Sequence, residues 1–461
     1  MPLFVLGVYD LFQRKHTILR NFPLVGHFRY MFEAISPEIQ QYFIERHTDG
    51  TPISRNHRSI VYKRSKDKNS THPFGTEGDL YSSKYVGLKH SMYPAPVPEE
   101  ELRVTIGGPD CRKPYSASLL NISAMSFGSI SSAAVLAMGK GAKKGGFYQN
   151  TGEGSLSDYH LEAGGDVVWQ IGTAYFGCRT ETGGFDKHAF RERATLDAVK
   201  MIELKLSQGA KPGEGGVLPA EKNNKEIARI RMVEPGTLVH SPRGHREFQD
   251  AVGMLDFLVM LRDLSGGKPV GIKLCIGRKD EFRKLCKTMI ERNVTPDFIT
   301  VDGAEGGTGA APLEYSDSVG MPMEPGLRFV RETLREYGLR PKIKLIASGK
   351  IVTAFDAVSA LAYGADLCNS ARAFMLATGC IQALRCNTNR CPTGITTMDP
   401  KLTVGLVVED KCERVANFHR NTLRAVRDMM ASCGVSEPGE LDESIFLRGK
   451  EWRHLGGSGV G

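Results

Sequence analysis

Cys380, Cys386 and Cys391 fall within twelve residues in the spacing C-x5-C-x4-C, and Pro392 follows the last. Thiolates gathered this closely suit three iron corners of an iron-sulfur cluster. A structural zinc prefers C-x2-C pairs with a fourth ligand in reach, and plain thiols are the remaining reading. Cys412, twenty-one residues on, is a fourth candidate ligand. Ten cysteines without a signal-peptide pattern or small-scaffold spacing argue for a reducing compartment and against a disulfide framework.

A second set of residues could hold an anion. Ser348-Gly349-Lys350 and Asn369-Ser370-Ala371-Arg372 each follow a short apolar run, and small residues there expose main-chain N–H groups to a phosphate. Ordinary tight turns are the alternative. Lys273 lies inside the apolar run Ile272-Lys273-Leu274, an expensive place for an ammonium unless it meets an anion. Beside a flavin pyrimidine ring it would stabilise the reduced form, whereas pairing with a carboxylate on a neighbouring strand is equally compatible. Asp302-Gly-Ala-Glu305-Gly-Gly307-Thr-Gly309 is a glycine-rich stretch suited to close approach over a planar ligand.

The elements that must position these residues follow from periodicity. Eight short apolar runs are expected as strands: Leu119 to Ser123, Phe147 to Asn150, Val167 to Ile171, Ile202 to Leu206, Val270 to Cys275, Phe298 to Asp302, Ile343 to Ala347, and Asp366 to Ser370. Helix-like segments between them are Ser132 to Lys143, Ala194 to Lys200, Phe248 to Leu264, Lys279 to Arg292, Gly326 to Tyr337 and Ala354 to Leu361. Alternation implies parallel pairing, and eight units is the number at which such a sheet closes, so the predicted fold class is α/β, a (β/α)8 TIM barrel. An open doubly wound sheet is the runner-up. Ligand chemistry then belongs to the loops after each strand, including the long insertion from Ser207 to about His245.

The predicted organisation is a helical and irregular extension over residues 1–90, a barrel with its cysteine loop over 91–435, and a tail over 436–461. In the extension, Ile35 to Phe43 has helical spacing after Ser36-Pro37. In the tail, Gly456 to Gly461 carries a G-x-G-x-G pattern without the strand and helix of a dinucleotide fingerprint, so a flexible end is expected and no nicotinamide site is read. The formal charge of +8 comes from dispersed basic residues with no nucleic-acid tract, which favours a mildly basic solvated surface over nucleic-acid binding; attraction of anions is a further use for it. No stretch reaches the ~20 apolar residues of a bilayer span. A cytoplasmic protein is the default expectation, with membrane association through the apolar run Pro2 to Val8 as an alternative.

From about Ser116 to Ala431 the sequence resembles the FMN-binding synthase domain of glutamate synthase. The resemblance rests on Ala124-Met-Ser-Phe-Gly-Ser129, Asn150-Thr-Gly-Glu-Gly154, Gln208-Gly-Ala-Lys-Pro-Gly-Glu-Gly-Gly216, Gly306-Gly-Thr-Gly309 and the three-cysteine run. It implies FMN at a barrel mouth, a 3Fe-4S cluster on Cys380, Cys386 and Cys391, and 2-oxoglutarate against the flavin. Met125, Ser126, Asn150 and Lys273 would then line the flavin, and Gly307, Gly349, Lys350 and Arg372 would complete its site. Glu153, Gln208, Lys211 and Arg231 would form the substrate site. Lys211 and Arg231 can neutralise two carboxylates, Gln208 can hydrogen-bond a keto or imino group, and Glu153 can handle a proton.

The resemblance also implies an external reductant, ferredoxin or a separate reductase, and an ammonia-supplying subunit or free ammonia. It departs from the family in two respects. Neither the glutaminase domain with its terminal catalytic cysteine nor the β-helix domain is read in this sequence, which brings it nearest to the stand-alone FMN-binding members of the family. Val217 stands where the family has a glutamine near the substrate. Oxidation of another amine or a 2-hydroxy acid, or an electron-transfer or redox-sensing role without turnover of a 2-oxo acid, are the alternative functions.

Overall fold

The computed structural model describes residues 1–99 and 101–453. The expectation for Gly456 to Gly461 lies outside the described residues. Two compact units divide the chain, Met1–Arg58 and a larger one beginning at Ser59.

The smaller unit holds the helices Pro2–Phe12, Thr17–Asn21 and Gly26–Ile39. Pro37 lies inside the last of these rather than opening a new helix. Proline cannot donate to the helical ladder, and a π turn, Gln40–Ile44, follows directly. Asp10 is buried, accepting from the Leu24 N–H at 2.9 Å and lying 3.0 Å from His27 Nε2. Phe4, Phe12, Phe28 and Phe43 are exposed. Among the described residues, no helix is long and apolar enough to cross a membrane.

The larger unit is a closed barrel of eight parallel strands, β1 Leu120–Ile122, β2 Tyr148–Asn150, β3 Asp166–Ile171, β4 Val199–Lys205, β5 Val270–Leu274, β6 Phe298–Asp302, β7 Lys344–Ser348 and β8 Leu367–Ser370. Each pairs with its neighbour in sequence, and β8 closes on β1 through Cys368 opposite Leu120. All eight expected strands are present, and the closed barrel replaces the open-sheet alternative. Inward apolar residues fill the N-terminal end: Tyr148, Val168, Met201, Phe298, Ile346 and Leu367 form one cluster. Ile106, Tyr115 and Ala117 join it from an antiparallel hairpin, Arg103–Ile106 with Tyr115–Ser118, that stoppers that end. The site must therefore lie at the other end, where the strands finish in polar residues.

Three helices begin later or earlier than their periodicity suggested; the one expected over Gly326 to Tyr337 is Met323–Glu336. Asp250 accepts from the Gly253 N–H at 2.8 Å and so sets the start of Ala251–Leu264, not Phe248. The segment Ala194 to Lys200 is not a helix. The helix there is Lys187–Ala194, capped by Asp186, and β4 already begins at Val199 because Val199 and Met201 point inward on either side of the half-buried Lys200. A 25-residue helix, Val408–Ser432, absent from the sequence reading, packs along Ser132–Gly145. After it, Phe446–Arg448 pairs antiparallel with Val86–Leu88, burying Leu441, Ile445 and Phe446, so these residues belong to the body of the larger unit.

Candidate functional site

Strand ends and the loops after them place the expected site residues at one end of the barrel. Met125 and Ser126 follow β1, and Asn150 ends β2. Glu153 lies in the 3-10 turn Gly152–Gly154, Gln208 and Lys211 follow β4, and Lys273 is within β5. Gly307 follows β6, Gly349 and Lys350 follow β7, and Arg372 follows β8. One cleft is lined by Gln208, Lys273, Gly307, Gly349, Lys350 and Arg372 together with Ser123, Ala124 and Asp302. Met125, Ser126 and Asn150 do not line it. Ser126 Oγ instead accepts from the Gly154 N–H at 3.1 Å, and Asn150 Oδ1 from the Gly152 N–H at 3.0 Å, so both shape the turn that carries Glu153.

Beneath the mouth lies a polar layer that the apolar-run reading of β4 missed. Glu203 is buried and accepts from Asn150 Nδ2 at 2.8 Å, Gln170 Nε2 at 2.6 Å and Thr300 Oγ1 at 2.6 Å. A carboxylate with its lone pairs this well occupied is a rigid floor. Two residues further on, Lys205 sits opposite Lys273 across the β4–β5 pair. Like charges side by side need separate anions. Lys273 lies 3.7 Å from Asp302, which also accepts from the Gly209 N–H and from Ser348 Oγ. Lys205 donates to Glu153 Oε2 at 3.0 Å and to Gln208 Oε1 at 3.2 Å. Its signal was available, since a lysine inside an apolar strand is the feature that singled out Lys273.

Around Glu153 the cations outnumber the anions. Burial pushes the Glu153 carboxyl up, but Lys205, with Arg231 and Lys211 behind it, outweighs burial and holds it below the ordinary value. Lys211 is buried with its ammonium on the Ala310 carbonyl at 3.2 Å, and burial lowers its pKa. Arg231, also buried, ends the helix Lys225–Arg231, donates to the Phe127 carbonyl at 2.7 Å and lies over the Phe176 ring. Burial pushes it down to about 10, and its Nε has no partner among the described residues. Among the described residues neither Lys211 nor Arg231 has a carboxylate within 4.0 Å. Gly216 brings the insertion directly over Glu153, where any β-carbon would overlap the carboxylate.

The insertion is ordered by its own elements. Val217–Leu218 pairs with Val239–His240, and Asn224 caps Lys225–Arg231 through the Ile227 N–H at 2.9 Å. At its end, His245 Nε2 lies 2.9 Å from the Lys205 carbonyl and Nδ1 lies 3.1 Å from Tyr175 Oη.

The cleft's far end suits a phosphate. The N–H groups of Gly349, Lys350 and Ile351 have no acceptor among the described residues. Gly349 has φ +146°, and a β-carbon there would crowd Met323. Burial and then Arg372 lower the Lys350 pKa, as expected of two cations facing a space fitted for an anion. Arg372 is steadied by the Glu305 carbonyl.

Cys380, Cys386 and Cys391 share the loop after the last barrel helix, Arg372–Thr378. Among the described residues no three His, Cys, Asp or Glu side chains are already arranged as a metal-holding group. Cys386 and Cys391 influence each other electrostatically. Burial raises Cys391, but bonds from Thr393 and Thr396 more than reverse this and bring it down to about 7. Cys412 is elsewhere, on Val408–Ser432, with its thiol on the Glu409 carbonyl.

Residues 98–436 match the family described as the conserved region in glutamate synthase. The chain is 39% identical over 485 residues to the glutamate synthase large subunit-like protein YerD of Bacillus subtilis (strain 168), covering 96% of this chain and 92% of that one. It is 33% identical over 314 residues to an archaeal-type glutamate synthase (NADPH) of Thermotoga neapolitana, covering 68% of this chain and 59% of the relative. A mutant flavocytochrome b2 with pyruvate bound is similar in structure at a TM-score of 0.48 and 14% identity, covering 94% of this chain and 88% of that one.

Proposed function

Because the chain belongs to the glutamate synthase family, we propose that it is an FMN-dependent oxidoreductase that reductively aminates 2-oxoglutarate or a related 2-oxo acid. The observation that carries this reading is the pair of buried cations, Lys211 and Arg231, neither with a carboxylate within 4.0 Å among the described residues, beside a carboxylate that is itself held ionised. Such a pocket is short of negative charge and suits a dianion. Arg231 would grip one carboxylate with its planar fork and Lys211 the other as a point charge. Gln208 would hydrogen-bond the keto or imino group, and its contact with Lys205 fixes its orientation. Glu153 would hold and pass on the proton of the incoming ammonia or of the imine. Val217, next to the Gly216 backbone that covers Glu153, would present an apolar group to the substrate, which widens the reading to related acids.

Lys350, Arg372 and the N–H groups of Gly349 to Ile351 would hold the FMN phosphate, and Lys273 would face its ring. Cys380, Cys386 and Cys391 would hold a 3Fe-4S cluster. When bound, FMN supplies a hydride to the imine carbon and the cluster supplies single electrons. A separate reductant such as ferredoxin and a source of ammonia complete the reaction. Stopped-flow reoxidation of the reduced protein by 2-oxoglutarate plus ammonium, set against a panel of other 2-oxo acids, tests this reading. Acceleration by a 2-oxo acid is expected, and none by any of them rejects it. Iron and sulfide analysis with EPR tests the cluster, and zinc in place of iron rejects that part.

A further inference from the structure

Lys222 is a buried lysine that neither the substrate site nor the cysteine set absorbs. It ends the 3-10 turn Ala220–Lys222 of the insertion, between Lys211 and Arg231, and is 3% exposed. Its ammonium donates to two main-chain carbonyls of the cysteine loop, Cys386 at 2.8 Å and Thr396 at 2.8 Å. Burial lowers its pKa, and Cys386 and Cys391 act electrostatically in the opposite direction. Among the described residues no carboxylate lies within 4.0 Å of it. An ammonium is costly in such a place, and two carbonyl bonds compensate only part of the lost hydration.

The next residues run straight to the substrate site. Asn223 is buried and fastens the insertion to itself through the Glu234 carbonyl at 2.8 Å and the Thr237 carbonyl at 3.0 Å. Asn224 then caps the helix that ends in Arg231. The cysteine loop is tied on its other side to the start of Ser132–Gly145, where Ser131 Oγ donates to the Gly394 carbonyl at 2.7 Å. Lys222 is thus a single side chain joining the segment that bears Arg231 to the loop that bears the cysteines.

We propose that Lys222 is a positioning residue that couples the two sites. It clamps the cysteine loop to the substrate-binding segment and sets a fixed positive charge beside Cys386 and Cys391. Resting on the function proposed above, this means that filling the 2-oxo acid site tightens the cysteine loop, and that a cluster held there is easier to reduce than it would be without the charge.

The test uses the full chain. In cluster-free protein, iodoacetamide modification of Cys386 and Cys391 is followed by mass spectrometry with and without 2-oxoglutarate. Wild type should be protected several-fold by the acid, Lys222→Met should react several-fold faster and gain no protection, and Lys222→Arg should regain part of it. In loaded protein, EPR-monitored redox titration should show a lower midpoint potential for Lys222→Met and recovery in Lys222→Arg. Equal labelling rates and an unchanged potential in Lys222→Met overturn the inference. If that variant does not fold, wild-type labelling that ignores the acid overturns it alone. Wild type that binds neither 2-oxoglutarate nor iron rejects the proposed function instead, and the acid-free labelling rates then still decide whether Lys222 clamps the loop.

Discussion

Lys205 Nζ lies 3.0 Å from Glu153 Oε2, and both side chains are largely withdrawn from water. The pair joins the end of β4 to the turn after β2, and it holds the Glu153 carboxyl below its ordinary value although burial pushes it up. Lys205→Met should raise the Glu153 pKa, because the cation that most opposes the effect of burial is gone. The acid limb of the kcat/KM profile should move up in pH with it, since the ionised carboxylate then disappears at a higher pH. Lys205→Arg should move it far less. An unshifted profile in Lys205→Met would remove Glu153 from the proton-handling role.

Arg231→Lys keeps the charge and loses the fork. A charge-assisted hydrogen bond is worth about 1.5–3 kcal/mol, so the KM for 2-oxoglutarate should rise roughly ten- to a hundredfold. The KM for a monocarboxylic 2-oxo acid should change much less, and kcat should fall only modestly for both. Steady-state kinetics on the two acids measures this, and equal effects on them would mean that Arg231 serves the fold through Phe127 and Phe176 instead.

The barrel was legible because each strand is a short apolar run ending in polar residues, a pattern that eight parallel strands buried on both faces must show. Glu203 and Lys205 were hidden by the same rule, since a run counted as apolar conceals the polar residues that point inward near its end. Lys222 and His245 were illegible for another reason. Lys222 is held by two main-chain carbonyls 164 and 174 residues away, and His245 by the Lys205 carbonyl besides the Tyr175 hydroxyl; main-chain groups leave no trace in side-chain type. The helix Val408–Ser432 did carry a signal, with Val415, Phe418, Thr422 and Val426 buried at helical spacing among charged residues.

The end of the cleft proposed above to hold the FMN phosphate predicts how flavin affinity responds to charge. Lys350→Met and Arg372→Met should each weaken FMN binding about tenfold or more, while riboflavin, which lacks the phosphate, should bind both variants nearly as wild type does. Fluorescence titration of the apoprotein with the two flavins measures this. Parallel losses for both would place these cations under the ring system rather than at the phosphate.

Three buried histidines predict the acid stability of the larger unit. Burial pushes His160 and His419 down to about 3 and His245 down to about 4. His160 Nδ1 is 2.7 Å from Ser157 Oγ, and His419 stacks on Phe147 with Nε2 2.9 Å from Ser118 Oγ. In the unfolded chain each would titrate near the ordinary 6.5. Folded-state values below the unfolded one mean that the unfolded chain binds more protons as pH falls. Stability should therefore be full above about 6.5 and decline as pH drops towards 4, by a few kcal/mol for each histidine to order of magnitude. Urea midpoints at pH 7.5, 6 and 5 should fall in turn. His419→Gln, which has no ring to protonate, should start lower but lose less over the same interval. A variant whose midpoint falls as steeply as that of wild type would show that other groups govern the acid transition.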